Sequence, residues 1–259
     1  MFLGHLAVGF AAKRAAPKTS LATLLASAQF VDLIWPVFLL LGVEHVRIDP
    51  GNTAVTPLDF YDYPISHSLL TGIAWAAGLA LVYFALHRYR RGAWVLGGCV
   101  LSHWVLDALS HRPDMPLCPG GRTYVGLGLW NSVPATVAVE FGLFIAGIAL
   151  YVRSTAARDR IGQYVFWALV ATLAVLYGVS LLGPPAPNAR ALALVSLAGW
   201  LVVPWAWWAE LIDRLHRASR PFIAQPVEEE PGGIGFPAAV GSEGSSPSQK
   251  SSLCRGASS

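Results

Sequence analysis

Charge is what this chain has least of. Only 13% of its 259 residues are Asp, Glu, Lys or Arg, about half the roughly 25% of an ordinary soluble domain. The few charges fall in short clusters between long uncharged runs, which argues against a soluble core of the same composition. A net charge of +3 is too small to suggest nucleic-acid binding. Cysteine is nearly as scarce. Cys99, Cys118 and Cys254 are odd in number and show no CxxC spacing, so neither a zinc ribbon nor a full disulfide framework is indicated. Cys99, inside an apolar run, reads as a small buried hydrophobe. The chain has no apparent internal repeat, no GxGxxG or P-loop signature, and no Gly-x-Ser-x-Gly elbow of a serine hydrolase. Its first basic cluster, Lys13, Arg14 and Lys18, follows an apolar stretch and precedes a run long enough to span, so no cleavable signal peptide is expected.

What the chain has is hydrophobic length, with 54% apolar residues. A spanning helix needs about 20 mostly apolar residues, and six runs qualify: Leu21–Val43, His67–Leu86, Gly92–Leu109, Val133–Val152, Gly162–Leu182 and Ala189–Leu211. The segment Phe2–Ala12 is apolar but too short, and reads as an interfacial or re-entrant helix. The connections alternate in basic charge. Lys13, Arg14, Lys18, Arg88, Arg90, Arg91, Arg153, Arg158, Arg160, Arg214, Arg217 and Arg220 fall on one side, against Arg47, Arg112, Arg122 and Arg190 on the other. By the positive-inside rule the richer side is cytoplasmic. The expected fold is therefore all-α: a polytopic integral membrane protein of about six transmembrane helices over residues 1–220, both termini cytoplasmic. Residues 221–259, rich in Glu, Gly, Ser and Pro, are expected to form a disordered cytoplasmic tail.

Ionisable groups at membrane depth carry the functional signal, since a charge there costs on the order of 3 kcal/mol and usually faces the bundle interior. Asp32, His103, Asp107 and Glu140 fall within spans, and His67 and His111 at their outer ends. In Ser102–His111, a spacing of four stacks His103, Asp107 and His111 on one helical face. Imidazole and carboxylate together suit zinc or a neighbouring divalent ion; the plainer reading is a His–Asp hydrogen bond that locks helix packing. At 1.5 Å per residue, Asp32 and His103 each lie roughly 16 Å from the cytoplasmic surface, with Asp107 one turn further out. Glu140 enters from the other side to about 10 Å, and His67 sits at that outer surface, so the groups can converge in the outer half of the membrane. His5 precedes a cytoplasmic cluster and joins them only if Phe2–Ala12 re-enters the bilayer. Ser68 reads as a helix cap. Asp49, Asp59, Asp62 and His45 read as loop groups in water, and Trp200, Trp205, Trp207 and Trp208 as an interfacial belt.

His5, Asp32, His67-Ser68 and His103-x-x-x-Asp107 together resemble the bacterial inner-membrane metal-dependent hydrolases, the family that includes the LexA-regulated membrane hydrolases. The likeness covers about residues 1–115. Beyond it, Gly128–Ser132 through Glu140 resembles a related subgroup labelled as permeases. The resemblance implies a divalent metal, zinc or manganese, held by His5, Asp32, His67, His103 and Asp107. Glu140 would act as base or orienter, on an amphiphilic phosphoester or amide substrate approached from the outer leaflet. Two departures stand out: Leu33 and Ile34 follow Asp32 where the family shows a second acidic residue, and Tyr-Pro-Ile-Ser-His-Ser replaces Arg-Gly-x-Thr-His-Ser. The first speaks against a two-metal site. Two other readings remain: a permease using the same residues as a proton or ion relay, and a non-catalytic membrane scaffold.

Overall fold

A backbone without water to bond must satisfy itself, and in lipid the helix does so within one segment. The computed structural model describes residues 1–155 and 160–218, the last eight by backbone alone. Arg158 and the tail at 221–259 lie outside the described residues. The chain opens with α1 (Leu3–Ala15), α2 (Leu21–Ala28) and α3 (Phe30–Leu40), then a hairpin of β1 (His45–Ile48) and β2 (Leu58–Asp62). A single turn, α4 (Pro64–His67), leads into α5 (Leu69–His87) and α6 (Arg90–Ser110). A second small hairpin, β3 (Met115–Pro116) with β4 (Tyr124–Val125), precedes α7 (Val133–Ser154) and α8 (Arg160–Leu182). The last run is α9 (Ala189–Ser196), continued through a 3₁₀ stretch into α10 (Val202–Ala218).

Five of these segments are long and apolar enough to cross a membrane: α5, α6, α7, α8 and Ala189–Glu210. The sixth run, expected as one helix over Leu21–Val43, is two, α2 and α3, bent by 57° about Gln29. Helix starts follow local chemistry. Ser20, Ser68, Ser132 and Asn188 each accept a hydrogen bond from the backbone N–H three residues on, which fills a donor the helix leaves unpaired. Ser68 is thus the cap its position suggests. The bundle's outer surface is apolar: Leu70, Ile73 and Leu81 of α5, Ile145 of α7 and Val175 and Val179 of α8 are all exposed. An apolar belt this extensive is what a bilayer solvates, whereas water penalises it. Two of the tryptophans expected in a belt also bond within the bundle: Trp200 Nε1 donates to the Leu33 carbonyl at 3.0 Å and Trp205 Nε1 to that of Val165 at 3.3 Å.

α1 is the organising element. Leu3, His5, Leu6 and Phe10 are at most 1% exposed, so the helix lies inside the bundle and not at an interface. Leu3, Leu6 and Phe10 pack with Leu21 and Leu25 of α2, Phe144 and Ile148 of α7, and Phe166 and Leu169 of α8. Two glycines permit the approach. A Cβ on Gly9 would stand 3.0 Å from Leu25 Cα, and one on Gly147 would stand 2.8 Å from Ala7 Cα. Small residues at helix crossings let backbones close to packing distance. At the turn between α1 and α2, Glu210 accepts from both Lys13 Nζ (2.7 Å) and the Leu21 N–H (2.8 Å), tying α10 to the hairpin.

Gly147→Leu should drive α1 off α7 and lower the melting temperature of the detergent-purified protein, as overpacking costs about 1–3 kcal/mol. Gly142→Leu, on the same helix with open space around it, should leave the melting temperature nearly unchanged.

Candidate metal centre

The helix-level spacing of His103 and Asp107 puts both on the buried face of α6, at 1% and 2% exposure. His103 Nε2 lies 3.1 Å from Asp107 Oδ2 and 3.6 Å from Asp32 Oδ2. His67 Nε2, at the end of α4, stands 3.4 Å from Asp32 Oδ1 and 3.8 Å from Asp107 Oδ2. α1 brings His5, whose Nε2 is 3.0 Å from Asp107 Oδ1 and whose ring stacks on His103 at 3.5 Å between centroids. The amine of Met1 meets the same oxygen, Asp107 Oδ1, at 2.5 Å. All five residues expected as ligands therefore converge. His5, His103 and Asp107 form one group able to hold a metal ion, and Asp32, His67 and His103 form another.

The bend between α2 and α3 takes part in this. Ala28 is the last residue of α2, and its carbonyl accepts from His103 Nδ1 at 2.8 Å. A side chain inserted into a helix ladder is a common cause of such a break. A carbonyl only accepts, so His103 carries its hydrogen on Nδ1. Its Nε2 is buried and makes no hydrogen bond, although carboxylate oxygens lie close by. With Nε2 unprotonated, its lone pair faces carboxylates, a repulsion that a bound cation would relieve. Two donors about 2.1 Å from one ion stand roughly 3.0–3.4 Å apart at octahedral to tetrahedral angles. The His103–Asp107 spacing of 3.1 Å and the His67–Asp32 spacing of 3.4 Å fall in that range, and the His103–Asp32 spacing of 3.6 Å lies just beyond it, so these residues fit a divalent ion. The two groups share His103, and one nitrogen has one lone pair, which favours a single ion over two.

Glu140 lies beside this cluster but is engaged by α1. Its Oε2 accepts from the N–H groups of Phe2 (3.0 Å) and Gly4 (3.1 Å), and Oε1 from Phe2 at 3.3 Å. His111, expected on the same face as His103 and Asp107, departs from it: α6 ends at Ser110, and His111 adopts extended backbone. It turns instead to Asp114 Oδ1 (3.0 Å) and the Tyr63 hydroxyl (3.4 Å). Burial holds the His111 imidazole below its ordinary value, and burial with the adjacent Asp114 pushes the Tyr63 phenol well above its own. Asp59, read as a loop carboxylate in water, is largely buried and pairs with Arg112 and Arg47.

One residue here escaped sequence reasoning. Glu44 is only 1% exposed, and its carboxylate holds the turn that carries His67, through Ile65 N at 2.7 Å and Ser66 N at 2.8 Å. A lone Glu after an apolar run offers no signal for this, because its partners lie some twenty residues away.

Two cavities meet at the cluster. One, of about 190 Å³, is lined by Asp32, His67, Asp107, Glu140, Trp130 and Tyr177 among others. The other, of about 320 Å³, is mainly apolar, with Leu6, Leu25, Leu33, Leu192, Val202 and Val203 in its wall. Asp32, Trp35 and Ser180 border both. The Asp32 side chain is 36% exposed, against 3% for Asp107, so Asp32 is the open side of the cluster. Compared with known proteins, the chain matches no family model, no curated protein and no solved structure.

Glu140→Ala should leave the Phe2 and Gly4 N–H groups without their acceptor, at about 1–3 kcal/mol each. A thermal melt should show the loss, and Glu140→Gln, which keeps one acceptor oxygen, should lose less.

Proposed function

We propose that this chain is an integral-membrane metal-dependent hydrolase whose ion is held by Asp32, His67, His103 and Asp107. The observation that carries the reading is His103 Nε2, a buried ring nitrogen without a hydrogen bond, 3.1 Å from Asp107 Oδ2. His5 hydrogen-bonds the far oxygen, Asp107 Oδ1, and we give it the orienting place that such outer partners take around metal ligands. Of the two roles the sequence offers Glu140, the geometry favours the orienter: it fixes the start of α1 and so the position of His5. The imidazole and carboxylate donor set suits zinc or manganese. A bound ion of this kind lowers the pKa of its water and polarises the oxygen of an ester or amide. The smaller cavity, which Asp32, His67 and Asp107 line, gives the reacting group room beside half-buried Asp32. The apolar cavity beyond Trp35 suits the chain of an amphiphilic substrate. The likeness of His67-Ser68 and His103/Asp107 to the inner-membrane hydrolases supports placing the chain in a bacterial inner membrane, with the Lys13–Arg14 end cytoplasmic by its basic charge.

Elemental analysis of detergent-purified protein tests this. Near-stoichiometric zinc or manganese is expected in wild type and none in His103→Ala or Asp107→Asn, while His5→Ala should weaken affinity about 10–100-fold without abolishing it. Metal-free wild type whose melting temperature ignores chelator would sink the reading and leave transport or scaffolding.

A further inference from the structure

His67 sits one residue from a serine that has its own partner. Ser66 Oγ donates to Glu44 Oε2 at 2.6 Å, and Ser66 Oγ also lies 2.6 Å from His67 Nδ1. The other Glu44 oxygen takes the Ile65 and Ser66 N–H groups. Glu44, Ser66 and His67 are all buried, at 1%, 1% and 5% exposure. Counting hydrogens fixes the direction of the chain. A hydroxyl has a single hydrogen, and here it is given to the carboxylate. Toward His67, Ser66 can therefore only accept, so His67 Nδ1 must carry the hydrogen. Nε2 is then the nitrogen turned to Asp32 Oδ1 at 3.4 Å and Asp107 Oδ2 at 3.8 Å. His103 reaches the same state by a different acceptor, the Ala28 carbonyl.

We propose that Glu44 and Ser66 are positioning residues that lock His67 in its Nδ1-protonated form, with Nε2 turned to the ion. The role in metal binding rests on the metal-centre reading above; the lock on the tautomer does not. Ser66 and Ser68, on either side of His67, thus do different work: Ser68 caps α5 through the Thr71 N–H, whereas Ser66 passes the Glu44 charge to the imidazole. Outer carboxylate partners of this sort orient a metal-binding histidine and raise its basicity, and their loss commonly costs about 10–100-fold in affinity.

Ser66→Ala separates this role from a purely structural one. It removes the hydroxyl between Glu44 and His67 and keeps both backbone N–H groups that Glu44 holds, so the turn before α5 stays capped. In metal-free protein labelled with ¹⁵N-histidine, the His67 signal, assigned by its absence in His67→Gln, should show hydrogen on Nδ1 in wild type and a shift toward Nε2–H in Ser66→Ala. Titrated with Co²⁺, Ser66→Ala should bind about 10–100-fold more weakly, with an altered visible spectrum, and Ser66→Thr should restore both. An unchanged His67 signal together with Co²⁺ affinity within twofold of wild type would overturn the proposal. Wild type that shows the Nδ1 form yet takes up no Co²⁺ would uphold the lock and overturn the metal centre instead.

Discussion

Two carboxylates, Asp32 and Asp107, stand inside an apolar helix bundle, and the arrangement around them follows from that burden. An ionised group at membrane depth is expensive, and the expense is tolerable only where opposite charge and hydrogen-bond donors surround it. The chain meets this with elements that otherwise have no reason to be there. α1 is too short to cross a bilayer, yet it fills the middle of the bundle and delivers His5 to Asp107. The break at Gln29 turns the Ala28 carbonyl toward His103. The single turn of α4 interrupts what could have been one longer helix, and it places His67 opposite Asp32.

The insertion of α1 itself needs a third carboxylate. The first N–H groups of a helix have no partner within it, and a buried helix start needs one from elsewhere in the protein. Glu140 takes those of Phe2 and Gly4. Gly9 and Gly147 let α1 come within backbone contact of α2 and α7. A helix end anchored by Glu140, closely packed by two glycines and tied at its other end through Lys13 and Glu210 has little freedom. This rigidity matters for His5, whose ring must stack on His103 at 3.5 Å.

Much of this was legible in the sequence, and the exceptions have physical causes. Spans were visible because hydropathy over twenty residues is a summed signal that local detail cannot mask. His103 and Asp107 were visible because a spacing of four has only one meaning on a helix. The bend at Gln29 was not, since neither Gly nor Pro stands at the break; Pro36, the residue that advertises a kink, sits inside α3 without breaking it. The two hairpins were missed because strands of two to five residues carry too few side chains to set an alternation. His5 looked misplaced because basic clusters report sidedness, not depth. Read as a helical hairpin, it was placeable: His5 lies ten residues before the end of α1 and Asp32 eleven after the start of α2, so both reach a similar level. Glu44 had no local signal at all.

Charge balance narrows what completes the cluster. The amine of Met1 pairs with Asp107 Oδ1, and Glu140 is held by backbone N–H groups. Three carboxylates, Asp32, Asp107 and Glu140, against that one amine leave two negative charges, with the histidines around them. His103 Nε2 makes no hydrogen bond although Asp107 Oδ2 is 3.1 Å away, and His67, whose Nδ1 faces Ser66, turns its Nε2 toward Asp32. A divalent cation would balance both negative charges and accept the inward ring nitrogens, whereas a monovalent ion would balance only one in a medium that screens poorly.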